Sequence, residues 1–423
     1  MRRSKDRIIT HKIQMPNGIR LLVREDHSSP LIALAAYFLG GRRATAKGKA
    51  GVASLTQRLT TKGAGGLDAI SLAEELEFHG ISATPFFGFD TAGIKMLSLS
   101  RHFDRALDLF HKMLTQPTFS EEEFEKEKVN LLDDIKKEKD DVLGYCMQMC
   151  EELVFEGHPY GLPSNGTLET VKKLKRQDVV DYHQSVFCPS RMVIALVGDI
   201  KPDEAERKLE RLFADFEQWR EAPDPGAIKG PIKNVKEQIE YSEKQQVAIC
   251  MGFHAPPVSD EDYYTFYVLN QVLSGMGARL FVELRDKQGL AYLVNSRYHG
   301  LYGGGLFQVY ILTSFHHKEK ARIALLEEVD RLRTRLVSYD ELVRAKRHHL
   351  GLFDISLQSK SSVASKIAYH ELMGMGHDYI ENYSERIKRI TRQKVKRAAE
   401  KYLKPQSYAI ALLTPATFPK IPQ

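Results

Sequence analysis

The amino-acid sequence predicts an α+β protein of two homologous halves. Each half is expected to be a mostly antiparallel or mixed sheet with helices packed on one face, and a Pro/Gly linker joins them. Three observations carry this reading. Arg176–Asp199 (RQDVVDYHQSVFCPSRMVIALVGD) aligns with Arg392–Pro415 (RQKVKRAAEKYLKPQSYAIALLTP), and Arg-Gln, Val179/Val395, Pro189/Pro405 and Ile-Ala-Leu recur 216 positions apart. Each copy reads as a helix, a proline stop and a buried strand. Two weaker matches support the repeat: Ser120–Phe124 with Ser338–Leu342, offset 218, each opening a long helix, and Leu72–Gly80 with Leu280–Gly289, each a helix running into a strand. Finally, strands follow one another directly in Ile81–Leu99, which favours α+β over a doubly wound parallel sheet.

Taken in order, the first residues (MRRSKDRIITHKIQ) carry positive charge with no apolar stretch behind them, so no secretory signal is read. Asn17-Gly18 between Ile13 and Ile19 predicts a two-residue hairpin turn. Leu31–Leu39 reads as a buried strand ending at Gly40-Gly41. Gly51–Thr61 has helical period, with Val52, Leu55 and Leu59 in one apolar stripe and Ser54 and Arg58 one turn apart on a neighbouring face. Glu221–Val235 (EAPDPGAIKGPIKNV) cannot continue a helix and suits a linker. The expected domains are therefore 1–221 and 236–423, with the linker at 222–235. Gly303-Gly304-Gly305 reads as a flexible turn. Arg386–Lys404 reads as a basic helix with Ile387, Ile390 and Val395 on a packed inner face.

Composition excludes several classes. The chain has 423 residues, 43% hydrophobic and 27% charged, as ordinary globular proteins do. That is unlike a disordered tail, a collagen or a small disulfide scaffold. The longest apolar run, Met192–Val197, is strand-sized and far short of the roughly 18 to 20 residues of a membrane span. A net charge of +6, from 61 basic and 55 acidic residues, is too mild to argue for nucleic acid or a membrane surface. Cys146, Cys150, Cys188 and Cys250 form no C-x-x-C pair. Reduced thiols in a cytoplasm are the expectation.

Leu284–Tyr292 (LRDKQGLAY) holds Arg285 and Tyr292 seven apart with Gly289 between them. A helix ending near Gly289 and continuing as a strand could aim both side chains at one place. Arginine offers a rigid fork of donors to carbonyl or carboxylate oxygens, and a tyrosine hydroxyl can bond a developing oxyanion. Histidine pairs elsewhere make poor metal sites. His370-Glu371 opens like His-Glu-x-x-His, but residue 374 is Gly and the next histidine is His377, about 10 Å further along a helix. His316-His317 and His348-His349 are adjacent, so their side chains diverge.

These residues resemble the pitrilysin/insulinase-like zinc metallopeptidases, in the short-chain branch of the mitochondrial processing peptidase type. The matching features run in order along nearly the whole chain: NGIRLLV near residue 20, Gly40-Gly41-Arg42, Gly51 opening a helix, Gly80-Ile-Ser-Ala83, His158-Pro-Tyr-Gly161 with Gly166, Val197-Gly198-Asp199, Gly275–Phe281, and LRDKQGLAY. The last matches the family's Arg/Tyr substrate-clasping motif at Arg285 and Tyr292. Active members carry His-x-x-Glu-His and a distal glutamate ligand. Two histidines one helical turn apart hold zinc, and the glutamate between them activates its water.

The departure from that pattern sets the expected function. Ser54 and Arg58 stand at the two histidine positions, Gln57 at the base, and Asp134, seven after Glu127, at the distal ligand. The resemblance thus implies a non-catalytic subunit that binds no cofactor and is inactive alone. It would form a heterodimer with a homologous zinc-bearing subunit, or self-associate as a homodimer, and would take a peptide laid along a sheet edge. Arg285 and Tyr292 would act in trans on the partner's reaction. The alternative is a structural relative, like the core subunits of the respiratory cytochrome complex. Autonomous hydrolysis is disfavoured by the lost histidines and glutamate. Arg58 and Asp134 are expected to pair, the guanidinium taking the place of the metal.

Overall fold

A computed structural model describes residues 9–217, 224–228 and 230–416. They fall into two compact units. The first comprises the described residues of Met1–Ile135, Ser164–Pro225 and Asp354–Asn382; the second those of Lys136–Pro163, Gly226–Phe353 and Tyr383–Gln423. The unit boundary at Pro225/Gly226 lies in the proline- and glycine-rich stretch. Within that stretch, positions 221–223 and 229 lie outside the described residues, as do positions 1–8 of the basic N-terminus.

The first unit holds six strands: β1 (Thr10–Gln14), β2 (Arg20–Glu25), β3 (Leu31–Leu39), β4 (Ser82–Phe87), β5 (Thr91–Leu99) and β6 (Met192–Gly198), in the order β1-β2-β6-β3-β5-β4. The second unit holds five: β7 (Lys236–Ser242), β8 (Gln246–His254), β9 (Leu293–Gly300), β10 (Gly305–Ser314) and β11 (Ala409–Pro415), in the order β7-β11-β8-β10-β9. In each sheet one pair is parallel (β2·β6, β7·β11) and the pairs beyond it are antiparallel. The repeat is therefore real at the level of hydrogen bonds. Arg20 pairs with Val193 and Lys236 with Ala409, so Val193 and Ala409 are equivalent. That is the spacing of 216 read in the sequence.

The main core of the first unit lies on one sheet face. Leu21, Val23, Leu34, Phe38, Ile94, Met96, Ile194 and Leu196 pack there with the helices Val52–Leu59, Phe103–Thr115 and Pro202–Phe213. The opposite face is also covered, which the expectation of helices on one face omitted. Leu22, Ala33, Ala35, Val193, Ala195 and Val197 meet Val363, Ala364, Ile367, Ala368 and Leu372 of the helix Lys360–Leu372. That helix comes from the C-terminal half of the sequence. The five alanines of this contact let helix and sheet backbones approach closely, so a larger residue at Ala35 or Ala368 would overpack the layer by about 1–3 kcal/mol. In the second unit the converse holds: the helix Val142–Val154, from the N-terminal half, packs on β8 and β11. Packing units and sequence halves thus exchange one helix each.

Two local expectations are corrected. The first hairpin turn has three residues, not two. Gly18 N–H donates to Met15 O (3.0 Å), Met15 N–H donates to Ile19 O (2.9 Å), and Gly18 takes φ +95°. Pro16 pre-sets the first corner of an ordinary turn, which moves the left-handed residue to Gly18. The basic segment is two helices, Tyr379–Lys388 and Arg392–Tyr402, the second capped by Thr391. Ile387, Ile390 and Val395 are buried, as their spacing required.

The ends of β2 and β6 are joined by an exposed histidine. His27 Nδ1 lies 2.5 Å from Asp199 and its Nε2 lies 2.6 Å from Glu25, while Ser100 Oγ donates to the other Asp199 oxygen (2.9 Å). Bonds to Asp199 first, and then Glu25, raise the His27 pKa; the bond from His27 lowers that of Asp199. A raised histidine pKa stabilises fully below the unfolded value and is lost as pH rises through the folded value. Thermal unfolding of His27→Ala against the parent should therefore show a deficit at pH 6 that disappears at pH 9. An equal deficit at both would refute the clasp.

Candidate functional site

The helix Val52–Leu59 begins at Gly51, whose φ of +97° only glycine adopts without strain. A Cβ there would also meet the Asn165 carbonyl oxygen at 2.7 Å. The close approach brings Asn165 over the first helical turn, where Ser54 Oγ donates to Asn165 Oδ1 (3.0 Å). Ser54 is fully buried, and Gln57 Nε2 donates to Pro85 O on the edge strand β4 (3.1 Å). Both side chains are thus committed to protein partners.

Arg58 lies one turn beyond Ser54. Its Nη2 donates to Asp134 Oδ2 at 2.6 Å, the pairing expected from the sequence. The helix Glu121–Lys137 also brings Glu127, two turns before Asp134, to 3.9 Å from Arg58 Nη1 and 3.5 Å from Lys62 Nζ. The sequence reading passed over Glu127 as a partner, although the seven-residue spacing on one helix face was its signal. Two carboxylates thus face two cations.

This donor set does not fit a zinc ion. A tetrahedral site takes nitrogen, sulfur or carboxylate ligands, and a guanidinium never deprotonates to become one. The only ligand-type groups, Asp134 and Glu127, are already neutralised by Arg58 and Lys62. No cluster of three or more His, Cys, Asp or Glu placed to hold a metal occurs among the described residues. His370 is buried against Tyr379, with ring centroids 3.4 Å apart, and its Nδ1 donates to Lys366 O (2.7 Å). Burial lowers its pKa to about 3. Its neighbour Glu371 pairs with Lys12 at 2.7 Å. This His-Glu pair is structural.

In the second unit, the wide-turn helix Phe281–Lys287 carries Arg285, and Gly289 at φ +63° turns the chain toward β9. Leu290 N–H donates back to Leu284 O (2.8 Å), and Tyr292 N–H donates to Leu312 O (2.9 Å) just ahead of the strand. Arg285 is exposed, its guanidinium 4.7 Å from the Phe281 ring centre, and Tyr292 is 66% exposed. Neither side chain has a hydrogen bond or ion pair among the described residues. A core position for Tyr292 is excluded. Arg285 thus lies near the helix end and Tyr292 just ahead of the strand, both exposed.

The model for insulinase (peptidase family M16) matches residues 20–167, and that for the peptidase M16 inactive domain matches residues 173–348. The chain belongs to the M16 family. Among M16 relatives, it is 26% identical over 402 residues to an uncharacterized zinc protease, YmxG, of Bacillus subtilis (strain 168), covering 95% of this chain and 97% of that one. It is 22% identical to a protein of Helicobacter pylori named non-peptidase homolog YmxG, covering 92% and 90%. Among solved structures, an M16 inactive domain from Pseudomonas fluorescens superimposes with a TM-score of 0.89 at 22% identity, covering 98% of this chain and 99% of that one. A chain of complex III2 from Candida albicans superimposes at 0.80 and 16% identity, covering 96% and 95%. At these identities the structural likeness speaks to the fold.

The geometry ranks the members of the charge cluster. Arg58→Ala strands the buried Glu127 carboxylate with Lys62 alone and should cost about 1–3 kcal/mol in urea unfolding. Asp134→Asn, half exposed, should cost about 0–1 kcal/mol. Added zinc should leave both midpoints and that of the parent unchanged. A zinc-dependent rise in the parent midpoint that Asp134→Asn removes would overturn the assignment.

Proposed function

We propose that this chain is the non-catalytic, substrate-clasping subunit of a two-subunit zinc metalloendopeptidase acting on peptides or unfolded segments. The observation that carries the reading is a contrast. Where the resemblance expects the metal, the Arg58 guanidinium is bonded to Asp134 at 2.6 Å. At the Arg/Tyr motif both side chains are exposed and make no hydrogen bond or ion pair among the described residues. Loss of one site beside retention of the other suits a subunit whose contribution is made to a partner's reaction.

In that role Arg285 would hold a carbonyl oxygen of the peptide through its donor fork, and Tyr292 would donate its hydroxyl proton to the oxyanion as it forms. The partner would supply the zinc and the general base. The domains 1–221 and 236–423 would then be read as one disarmed and one functional copy of the same unit. A scaffold role without peptidase duty is the second reading; the name of the Helicobacter relative, a non-peptidase homolog, favours it.

Co-expression with an M16 chain carrying an intact His-x-x-Glu-His separates the two. The complex should cleave an unfolded peptide, while this chain alone should not. Tyr292→Phe should lower kcat by about 10²–10³, the usual effect of deleting one oxyanion donor, and Arg285→Ala should raise KM. Turnover untouched by both substitutions would reject the clasping role and leave the scaffold.

A further inference from the structure

The two sheets differ at one edge. In the first unit β2 is followed outward by β1, which pairs with it from Thr10↔Arg24 to Gln14↔Arg20. On that unit's core face, Leu21 and Val23 are covered by the helix Pro202–Phe213. The equivalent of β2 is β7, by the shared register of Arg20 with Val193 and Lys236 with Ala409. Among the described residues, β7 has β11 as its one neighbour, and no counterpart of β1 or of the covering helix occurs.

The missing elements leave a defined surface. Lys236 N–H donates inward to Tyr408 O (3.0 Å). Strand alternation then turns the amides and carbonyls of Glu237, Ile239 and Tyr241 to the open side. The side chains of these three residues stand on the uncovered face. Ile239 is 46% exposed, Tyr241 69% and Val235, just before the strand, 41%. Ile323, 56% exposed, lies on the adjoining helix Lys318–Thr334, which the Arg322–Glu237 ion pair (2.8 Å) holds against β7. An open edge with apolar side chains is a template for another strand.

We propose that β7 is a self-association edge, pairing antiparallel with β7 of a second copy of this chain about a two-fold axis at Gln238. Charge selects both the occupant and the register. With the axis at Gln238, Lys236 faces Glu240 of the other copy, Lys233 faces Glu243, and Val235 faces Tyr241, each pair occurring twice. An axis at Glu240 would set Glu237 against Glu243 and Lys236 against Lys244. An axis at Ile239 yields no opposite-charge pair. Like charges directly opposite destabilise a strand pair, and opposite charges and apolar pairs support it. The pairing joins two five-stranded sheets into one of ten and removes both open edges.

The test reads oligomeric state and needs no peptidase assay. Light scattering on the purified full chain should show a concentration-dependent rise from 48.1 kDa toward twice that mass. Ile239→Pro should abolish the rise while leaving the circular dichroism unchanged, because the Ile239 N–H takes no bond within the unit. Gln238→Cys should oxidise to a covalent dimer under diamide, since residues on the axis are directly opposed in a non-hydrogen-bonded pair; Glu237→Cys should not. The four native cysteines are buried and form no disulfide. A monomer at every concentration would overturn the proposal. So would a dimer unaffected by Ile239→Pro, or one that Gln238→Cys fails to cross-link. An edge occupied only when a zinc-bearing M16 chain is added would likewise overturn self-pairing.

Discussion

The contact between Arg58 and Asp134 decides how the first unit can be read. In a working M16 helix the cation at that place is an ion that two histidines and a distal carboxylate recruit from solution. Here the cation is covalently part of the chain, so the carboxylates of Asp134 and Glu127 keep a partner without any metal. The pair ties the helices Val52–Leu59 and Glu121–Lys137 together. Ser54 and Gln57 each donate to a protein acceptor, Asn165 and Pro85.

The internal repeat shows how one architecture supports two surface chemistries. The hydrogen-bond register of the two sheets coincides, yet the sites lie on different elements. In the first unit Ser54, Gln57 and Arg58 sit on a helix that packs against the sheet. In the second the turn from Leu284 to Tyr292 leads out of a short helix into the edge strand β9. There a guanidinium rests on an aromatic ring and a phenol stands two-thirds in solvent.

Much of this was legible in the residues. The offset of 216 is set by buried strand residues whose pairing leaves little freedom, so the sequence match and the ladder agree. The Arg58–Asp134 pair was legible because permanent charge of opposite sign at aligned positions has few alternatives. Glu127 was harder, since its role depends on Lys62 reaching it from the turn after the Arg58 helix, which spacing along a single chain does not announce. The hairpin turn was misread because Asn-Gly is a strong local signal and the effect of Pro16 before it was not weighed. The cover on the second sheet face could not be read from local pattern. It depends on Ala364 and Ala368 finding Ala33, Ala35 and Ala195 more than 160 positions away, and alanines carry little signal in a periodicity argument.

The exchanged helices bear on how the chain reaches this state during synthesis. The strands β1 to β6 have all left the ribosome by Gly198, but one side of their sheet stays bare until Lys360–Leu372 follows. A nascent chain stalled between those points would display Leu22, Val193 and Val197 as a naked apolar layer, an open invitation to a holding chaperone. For the same reason, severing the chain between its sequence halves would part each sheet from its lid and yield two sticky fragments.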